Sequence, residues 1–383
     1  MDGGMPDMEE RGTTVILIDA LGHEIVKRHG FLPSGLSKPR NMPTVLGFSQ
    51  AALTTILTGL SPAEHGLWMM YSFAAGSSPF RWIGMLPVSS RRRLLRNSIR
   101  WVLDHIYHVD SYYSLYDVPR EILIHLDLPA RSRMFGPGGA GKHMNIFDEL
   151  EARRTNWISW DHTVPEERAF DELERAVESG DHGFRFLYTA GLDSTMHRYG
   201  TKGEQTRCHL GWYRDRIERI VSRCAGGRVV VLGDHGMCDV KRHLDLKGRV
   251  DELGLNVPHD FIPFYDSTMA RFKIRREAAG RRLEGLLFEL EGGSLLDADA
   301  ARRLGVHTAD GRFGDLVFLV EPGTIILPSY MSSEPVAAMH GYRPEASCME
   351  AAIFSNQERV EWPAAPTDIA RFLLPGFEAG ERI

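Results

Sequence analysis

Three aspartates in this chain stand where an apolar, strand-like run gives out. Asp19 follows TTVILI, Asp193 closes FRFLYTAGLD, and Asp234 follows RVVVLG. Two of them carry a histidine at a useful distance. His235 comes directly after Asp234, and His197 comes four residues after Asp193 in DSTMH, one helical turn away on the same side. Carboxylates brought together raise one another's pKa values and oppose folding unless something compensates them. A cation is the simplest remedy. A mixed Asp/His set suits Zn²⁺ or a similar transition metal better than Ca²⁺ or Mg²⁺, which favour all-oxygen shells. Taken one at a time, each aspartate reads equally well as a helix N-cap, and His235 as a satisfied loop histidine. Gly233 and Gly236 on either side of the pair would let the backbone turn sharply and approach an ion or substrate.

The elements that would gather these residues follow from the pattern. TTVILIDALG (13–22), FRFLYTAGLD (184–193) and RVVVLGDHG (228–236) are continuous apolar runs, as expected for strands covered on both faces. GDLVFLVEPGTIILP (314–328) reads as two more strands around Pro322-Gly323. EQTRCHLGWYRDRIERIVSRCAGG has helical length and closes on glycines, so strand, helix and strand form a βαβ unit in a largely parallel sheet. Ligands of such sheets bind beyond the carboxyl ends of the strands, where the aspartates fall.

Five segments in order, VILIDALG, TGLSPAEHG, LDSTMHRYG, GDHGM and MHGYRP, resemble the alkaline phosphatase superfamily, closest to its type I phosphodiesterase/nucleotide pyrophosphatase branch. The likeness runs from about residue 13 to about residue 375 and takes in TDIARFLL (367–374), which looks like the superfamily's late helix. It implies an α/β fold, alkaline phosphatase-like, with a central mostly parallel sheet between helices. It also implies two divalent metal ions, Zn²⁺ first and Mn, Fe or Mg as alternatives. Carried over by position, Asp193, His197 and His340 would hold one ion, and Asp19, Asp234 and His235 the other. The implied domain runs over 13–383, with a cap insert at 67–147 and a smaller insert at 241–313.

The same resemblance points to the nucleophile. The family's hydroxyl lies nine residues before the threonine of "TG", which is Thr58 here, so the position is Ser49. Ser49 opens SQAALTTIL, a helix-like stretch, and serine is a favoured N-cap. A helix start also offers N–H groups and a positive dipole to a phosphate. Thr44 is the alternative, because Pro43-Thr44 resembles the family's "PT". The expected activity is metal-dependent hydrolysis of a phosphate ester, of phosphodiester or nucleotide pyrophosphate type, through a phospho-serine. A phosphomonoesterase acting on a small phosphorylated metabolite, or a non-catalytic metal-binding member of the fold, are the alternatives. A sulfatase needs a C/S-x-P-x-R context, and neither Ser49 nor any cysteine has one.

Two positions depart from the family. Its diesterases carry an asparagine soon after the "HG" to hold a non-bridging phosphate oxygen; here the position is Met70, whose thioether cannot donate. The glycine usual before the second-motif histidine is Met196. In the expected cap, no acidic residue occurs from His65 to Leu103, whereas Arg93, Arg96 and Arg100 mark one helical face. That face is either solvated or anchors substrate, since guanidinium forks suit phosphate. GPGGAGKH (136–143) nearly matches a phosphate-binding loop. However, His143 replaces the required hydroxyl and no buried strand precedes it, so a hinge is the better reading.

The whole chain sets the remaining bounds. With 383 residues, 43% hydrophobic, it can bury a large core. A net charge of −6 argues against a nucleic-acid polymer or anionic membrane as partner and leaves a small-molecule phosphate ester. Oligomeric state is not legible. Cys208, Cys224, Cys238 and Cys348 are scattered with no CxxC, which reads as four free thiols. The first twelve residues are polar and acidic, unlike a signal peptide, so the expected compartment is the cytoplasm.

Overall fold

The structure is a computed structural model that describes residues 12–85, 99, 101–103, 105, 109, 116–179, 183–224, 226–357 and 360–382. Its centre is a six-stranded sheet. The strands are β1 (Thr13–Ile18), β2 (Arg40–Met42), β3 (Trp157–Trp160), β4 (Phe184–Thr189), β5 (Arg228–Leu232) and, late in the chain, a strand at Ala351–Ser355. The order across the sheet is β2, 351–355, β5, β1, β4, β3. β3, β4, β1 and β5 run parallel, and Ala351–Ser355 lies antiparallel between β5 and β2. The sheet is therefore mixed, with a parallel centre.

Alternation in β1 explains the layers. Ile16 and Ile18 enter one apolar core and Val15 and Leu17 the other, because successive side chains of a strand point to opposite faces. The first core is closed by Phe170 and Leu173 of one helix and by Leu210, Tyr213 and Ile217 of another. The second is closed by Leu53, Ile56 and Leu57, with Ile369 and Leu373 from the late helix Ile369–Leu373. β1, β4 and β5 are wrapped on both sides, which is why each reads as an unbroken apolar run.

Four helices matter for the site: α1 (Ser49–Thr58), α2 (Glu166–Glu178), α3 (Gly191–Tyr199) and α4 (Glu204–Arg223). α1 ends at Gly59, whose φ of 70° admits the left-handed cap while its N–H bonds Thr55 O. Between β4 and β5 the chain makes α3 and then α4, so the expected crossover contains two helices.

The two strands expected in 314–328 are present, at Leu316–Val320 and Thr324–Ile326, and both lie outside the central sheet. Leu316–Val320 belongs to a four-stranded antiparallel sheet with Phe261–Tyr265, Met269–Ile274 and Gly293–Leu295, and Thr324–Ile326 pairs with Arg242–Leu244. An apolar run says that a strand is buried, not which sheet buries it. One sequence expectation is corrected here, the four free thiols. Cys238 and Cys348 form a disulfide with Cα atoms 5.5 Å apart, and only Cys208 and Cys224 are free.

Candidate active site

β1, β4 and β5 lie side by side and parallel, so their carboxyl ends open at one edge. Asp19 is the residue immediately after β1, and Asp234 comes two residues after β5. Asp193 is placed differently from the expectation. It lies in the first turn of α3, four residues past the end of β4, and α3 aims it back at the same edge. Its spacing to His197 behaves as a helical i,i+4 pair: His197 Nε2 is 3.3 Å from Asp193 Oδ1. His340 follows the short strand Ala338–Met339, which pairs with Cys238–Asp239 just beyond Asp234-His235. That pairing brings the chain's last ligand candidate home.

The six candidates form two clusters. In one, Asp193, His197 and His340 present ligand atoms within 4.8 Å of one another; in the other, Asp19, Asp234 and His235 do the same. The clusters touch. The rings of His235 and His340 stack with centroids 4.0 Å apart, and His340 Nε2 is 3.5 Å from Asp193 Oδ1. His235 Nε2 lies 3.3 Å from Asp19 Oδ1 and 3.4 Å from Asp234 Oδ2. The other ring nitrogen is tied down in two cases, at His235 Nδ1 to Gly236 O (2.9 Å) and at His197 Nδ1 to Ala338 O (2.8 Å). A backbone acceptor at Nδ1 fixes the tautomer and leaves Nε2 with a lone pair for a cation.

The electrostatics are those of sites built for positive charge. Burial pushes Asp19 well above the usual carboxylate range, and Asp234 and Asp193 push it further. Burial lifts Asp234 to about 7. Burial also works against ionisation of Asp193, but His197 outweighs it and holds the carboxyl at about 2. Burial keeps His340 well below the usual imidazole range. Asp193 Oδ1, Asp234 Oδ2 and His340 Nδ1 are buried without a hydrogen-bond partner among the described residues. Such orphans are uncommon in folded proteins, and a pair of bound cations would satisfy the two carboxylate oxygens directly. The donor set fits the implied metal pair.

Ser49 sits against the Asp19, Asp234 and His235 cluster and shares a cavity with the other. It is the first residue of α1, not its N-cap; Phe48 takes that place with extended backbone, and no side chain caps the helix. The Ser49 hydroxyl is thus free of capping duty. Its Oγ lies 3.0 Å from His235 Nε2 and 3.4 Å from Asp19 Oδ1. Thr44 points elsewhere, its Oγ1 donating to the backbone oxygen of Asp234 at 2.7 Å. Thr54 and Thr58 bond back to carbonyls of their own helix. The expected arginines Arg93, Arg96 and Arg100 lie outside the described residues.

Ser49, Asp19, Asp193, His197 and His340 all open into one cavity of about 1280 Å³. Sequence reasoning missed several of its residues. Tyr188 donates to Asp19 Oδ2 at 2.5 Å, and Phe135 stacks on its ring. The available signal was a phenol at the penultimate position of an apolar strand. Glu166, at the start of α2, accepts from Thr189, Tyr213 and His209 beside Gly191, where a β-carbon would strike the Glu166 carboxylate. The GPGGAGKH loop is filled by the chain itself: Gly138 N–H donates to Asp148 Oδ1, which also meets Arg382 at 3.1 Å. Met196 is fully buried in the core under α3, and Met70 lines the cavity.

A family model for type I phosphodiesterase/nucleotide pyrophosphatase matches residues 15–343. The chain belongs to this family. As a type I phosphodiesterase/nucleotide pyrophosphatase family member it is a phosphoric ester hydrolase. Solved structures agree at the level of fold. Human ectonucleotide pyrophosphatase/phosphodiesterase 5 is similar at a TM-score of 0.65 and 12% identity, over 95% of this chain and 93% of that one. The murine enzyme is similar at a TM-score of 0.62 and 14% identity, over 90% and 87%. An inactive form of the murine enzyme in complex with AMP has a TM-score of 0.62 at 14% identity, over 90% and 88%. A search of curated proteins by sequence found no match.

Proposed function

We propose that this family member hydrolyses small phosphodiesters or nucleotide pyrophosphates through Ser49, with the two Asp/His clusters each holding a divalent cation, Zn²⁺ first among the candidates. The observation that carries the reading is the position of Ser49 Oγ, within 3.4 Å of two side chains of one cluster and in the same cavity as the other. Bound cations would neutralise the phosphoryl oxygens and lower the pKa of the serine hydroxyl. The remaining work belongs to the chain. Asp19 and His235 fix Ser49 Oγ for in-line attack. Ser49 Oγ gives up its proton to solvent and forms the bond to phosphorus, the ester P–O bond breaks, and the departing oxygen takes a proton back from water. Water then cleaves the phospho-serine and restores the hydroxyl. The first N–H groups of α1 face an anion at this point favourably. The AMP complex of the murine relative supports a small nucleotide as one substrate to test.

The test is turnover of bis- and mono-(p-nitrophenyl) phosphate by Zn²⁺- or Mn²⁺-loaded protein. Diester turnover should dominate; a mono-ester preference would favour the phosphatase alternative. Ser49→Ala should keep fold and metal content and reduce kcat by at least about 10³-fold, a loss typical of removing a nucleophile. Ser49→Thr should keep measurable activity. Full activity in Ser49→Ala would remove the covalent route.

A further inference from the structure

Met70 leaves a chemical gap: a phosphodiester brings a non-bridging oxygen to the cavity, and a thioether has no proton to give it. Gln50 lines the same cavity and carries the donor that Met70 lacks. It is the second residue of α1, next to Ser49, and half-buried. Its backbone oxygen takes the Thr54 hydroxyl, but among the described residues no protein group bonds its carboxamide. An amide beside a nucleophile, with both hydrogens uncommitted, is available to an incoming ligand. Packing explains why the two positions face one space. Gly47 has a φ of 135°, and a β-carbon there would lie 2.8 Å from the Trp68 ring and 2.9 Å from Trp68 O. The absent side chain lets the 67–70 segment press against the turn that launches α1.

We propose that Gln50 is a catalytic residue of this chain, its carboxamide N–H donating to a non-bridging oxygen of the substrate phosphoryl group in place of a donor at position 70. The inference rests on the hydrolase reading above. Because the oxygen gains charge as Ser49 attacks, the contact strengthens toward the transition state and should appear in kcat more than in KM.

The experiment uses full-length, cation-loaded protein and bis(p-nitrophenyl) phosphate. Gln50→Ala should lower kcat about 100-fold, the usual cost of one lost donor of this kind, with KM changed less than about threefold. Adding Met70→Asn to Gln50→Ala should restore at least about tenfold of that loss, whereas Met70→Asn alone should gain little. If Gln50→Ala is poorly folded, Gln50→Glu keeps the shape while replacing the donor with an acceptor, and should lose as much. Wild-type-like kcat in Gln50→Ala overturns the inference. A loss that Met70→Asn does not restore assigns Gln50 to packing and overturns it as well. Absence of any ester turnover by the wild-type protein defeats the hydrolase reading instead, and this inference with it.

Discussion

Asp234 shows how much a single carboxyl can reveal about what its site is for. Its Oδ1 accepts from the N–H groups of Ala20 and His235, while Oδ2 has no hydrogen-bond partner among the described residues. Burial lifts its pKa from 3.8 to about 7, so without a cation the folded chain holds a proton there that the unfolded chain has already released. Stability from this group is complete below pH 4 and is lost as pH rises through about 7. Asp193 works in the opposite sense and in a separate window: held at about 2, it stabilises above its ordinary pKa and fails only in stronger acid. Chelator-treated protein should therefore lose Tm between pH 4 and pH 7, and Asp234→Asn should flatten that slope. Cation-loaded protein should not show it, because metal binding expels the proton. Calorimetry in two buffers should find more protons released on Zn²⁺ addition at pH 6 than at pH 8.5. Equal release at both would contradict the assignment.

At the scale of the element, the glycines flanking Asp234-His235 act by a different means from the one their sequence suggests. Neither has a positive φ. Both are required because backbone passes too close for any side chain. A β-carbon at Gly236 would lie 2.1 Å from Cys348 O, and one at Gly233 would lie 2.4 Å from Leu21 O. Gly236→Ala should cost about 3 kcal/mol by overpacking, read from urea unfolding, and should release one cation as His235 shifts. Gly211→Ala is the contrast. In the interior of α4, with nothing within 4 Å, it should stabilise by about 0.5–1 kcal/mol. That the loop needed glycine was legible in the sequence; the reason was not, because Leu21 and Cys348 are remote from it along the chain. β1, β4, β5 and α4 were legible because burial on both faces, or on one stripe, writes its period into the residues. The strand Ala351–Ser355, as long as β5, escaped notice because AAIFS opens on two alanines, poor strand formers, and the seat of Asp193 in α3 for want of any break between strand and helix.

Across the whole molecule, one covalent link spans 110 residues and joins the segment after His235 to the turn after His340. Nothing local announces it; the partners meet only because β5 and Ala351–Ser355 are sheet neighbours. Thiol titration should count two groups in the native protein, Cys208 and Cys224, and four after reduction and unfolding. Cys348→Ser should lower stability by about 2–5 kcal/mol, the range for losing a native bridge. Four thiols in unreduced protein, and a Cys348→Ser variant as stable as its parent, would restore the free-thiol reading.

The order of the central sheet also has a consequence for how the chain comes into being. β1 is made first, yet both neighbours that close around it, β4 and β5, come from beyond residue 183, and His340 comes later still. A growing polypeptide therefore carries Asp19, then Asp193, then Asp234 for much of its synthesis before the second cluster is complete. Contacts of such long separation form slowly. A ribosome-bound chain halted before residue 340 should hold at most the cation of the Asp19, Asp234 and His235 cluster, so the two sites fill in sequence, with the one touching Ser49 first.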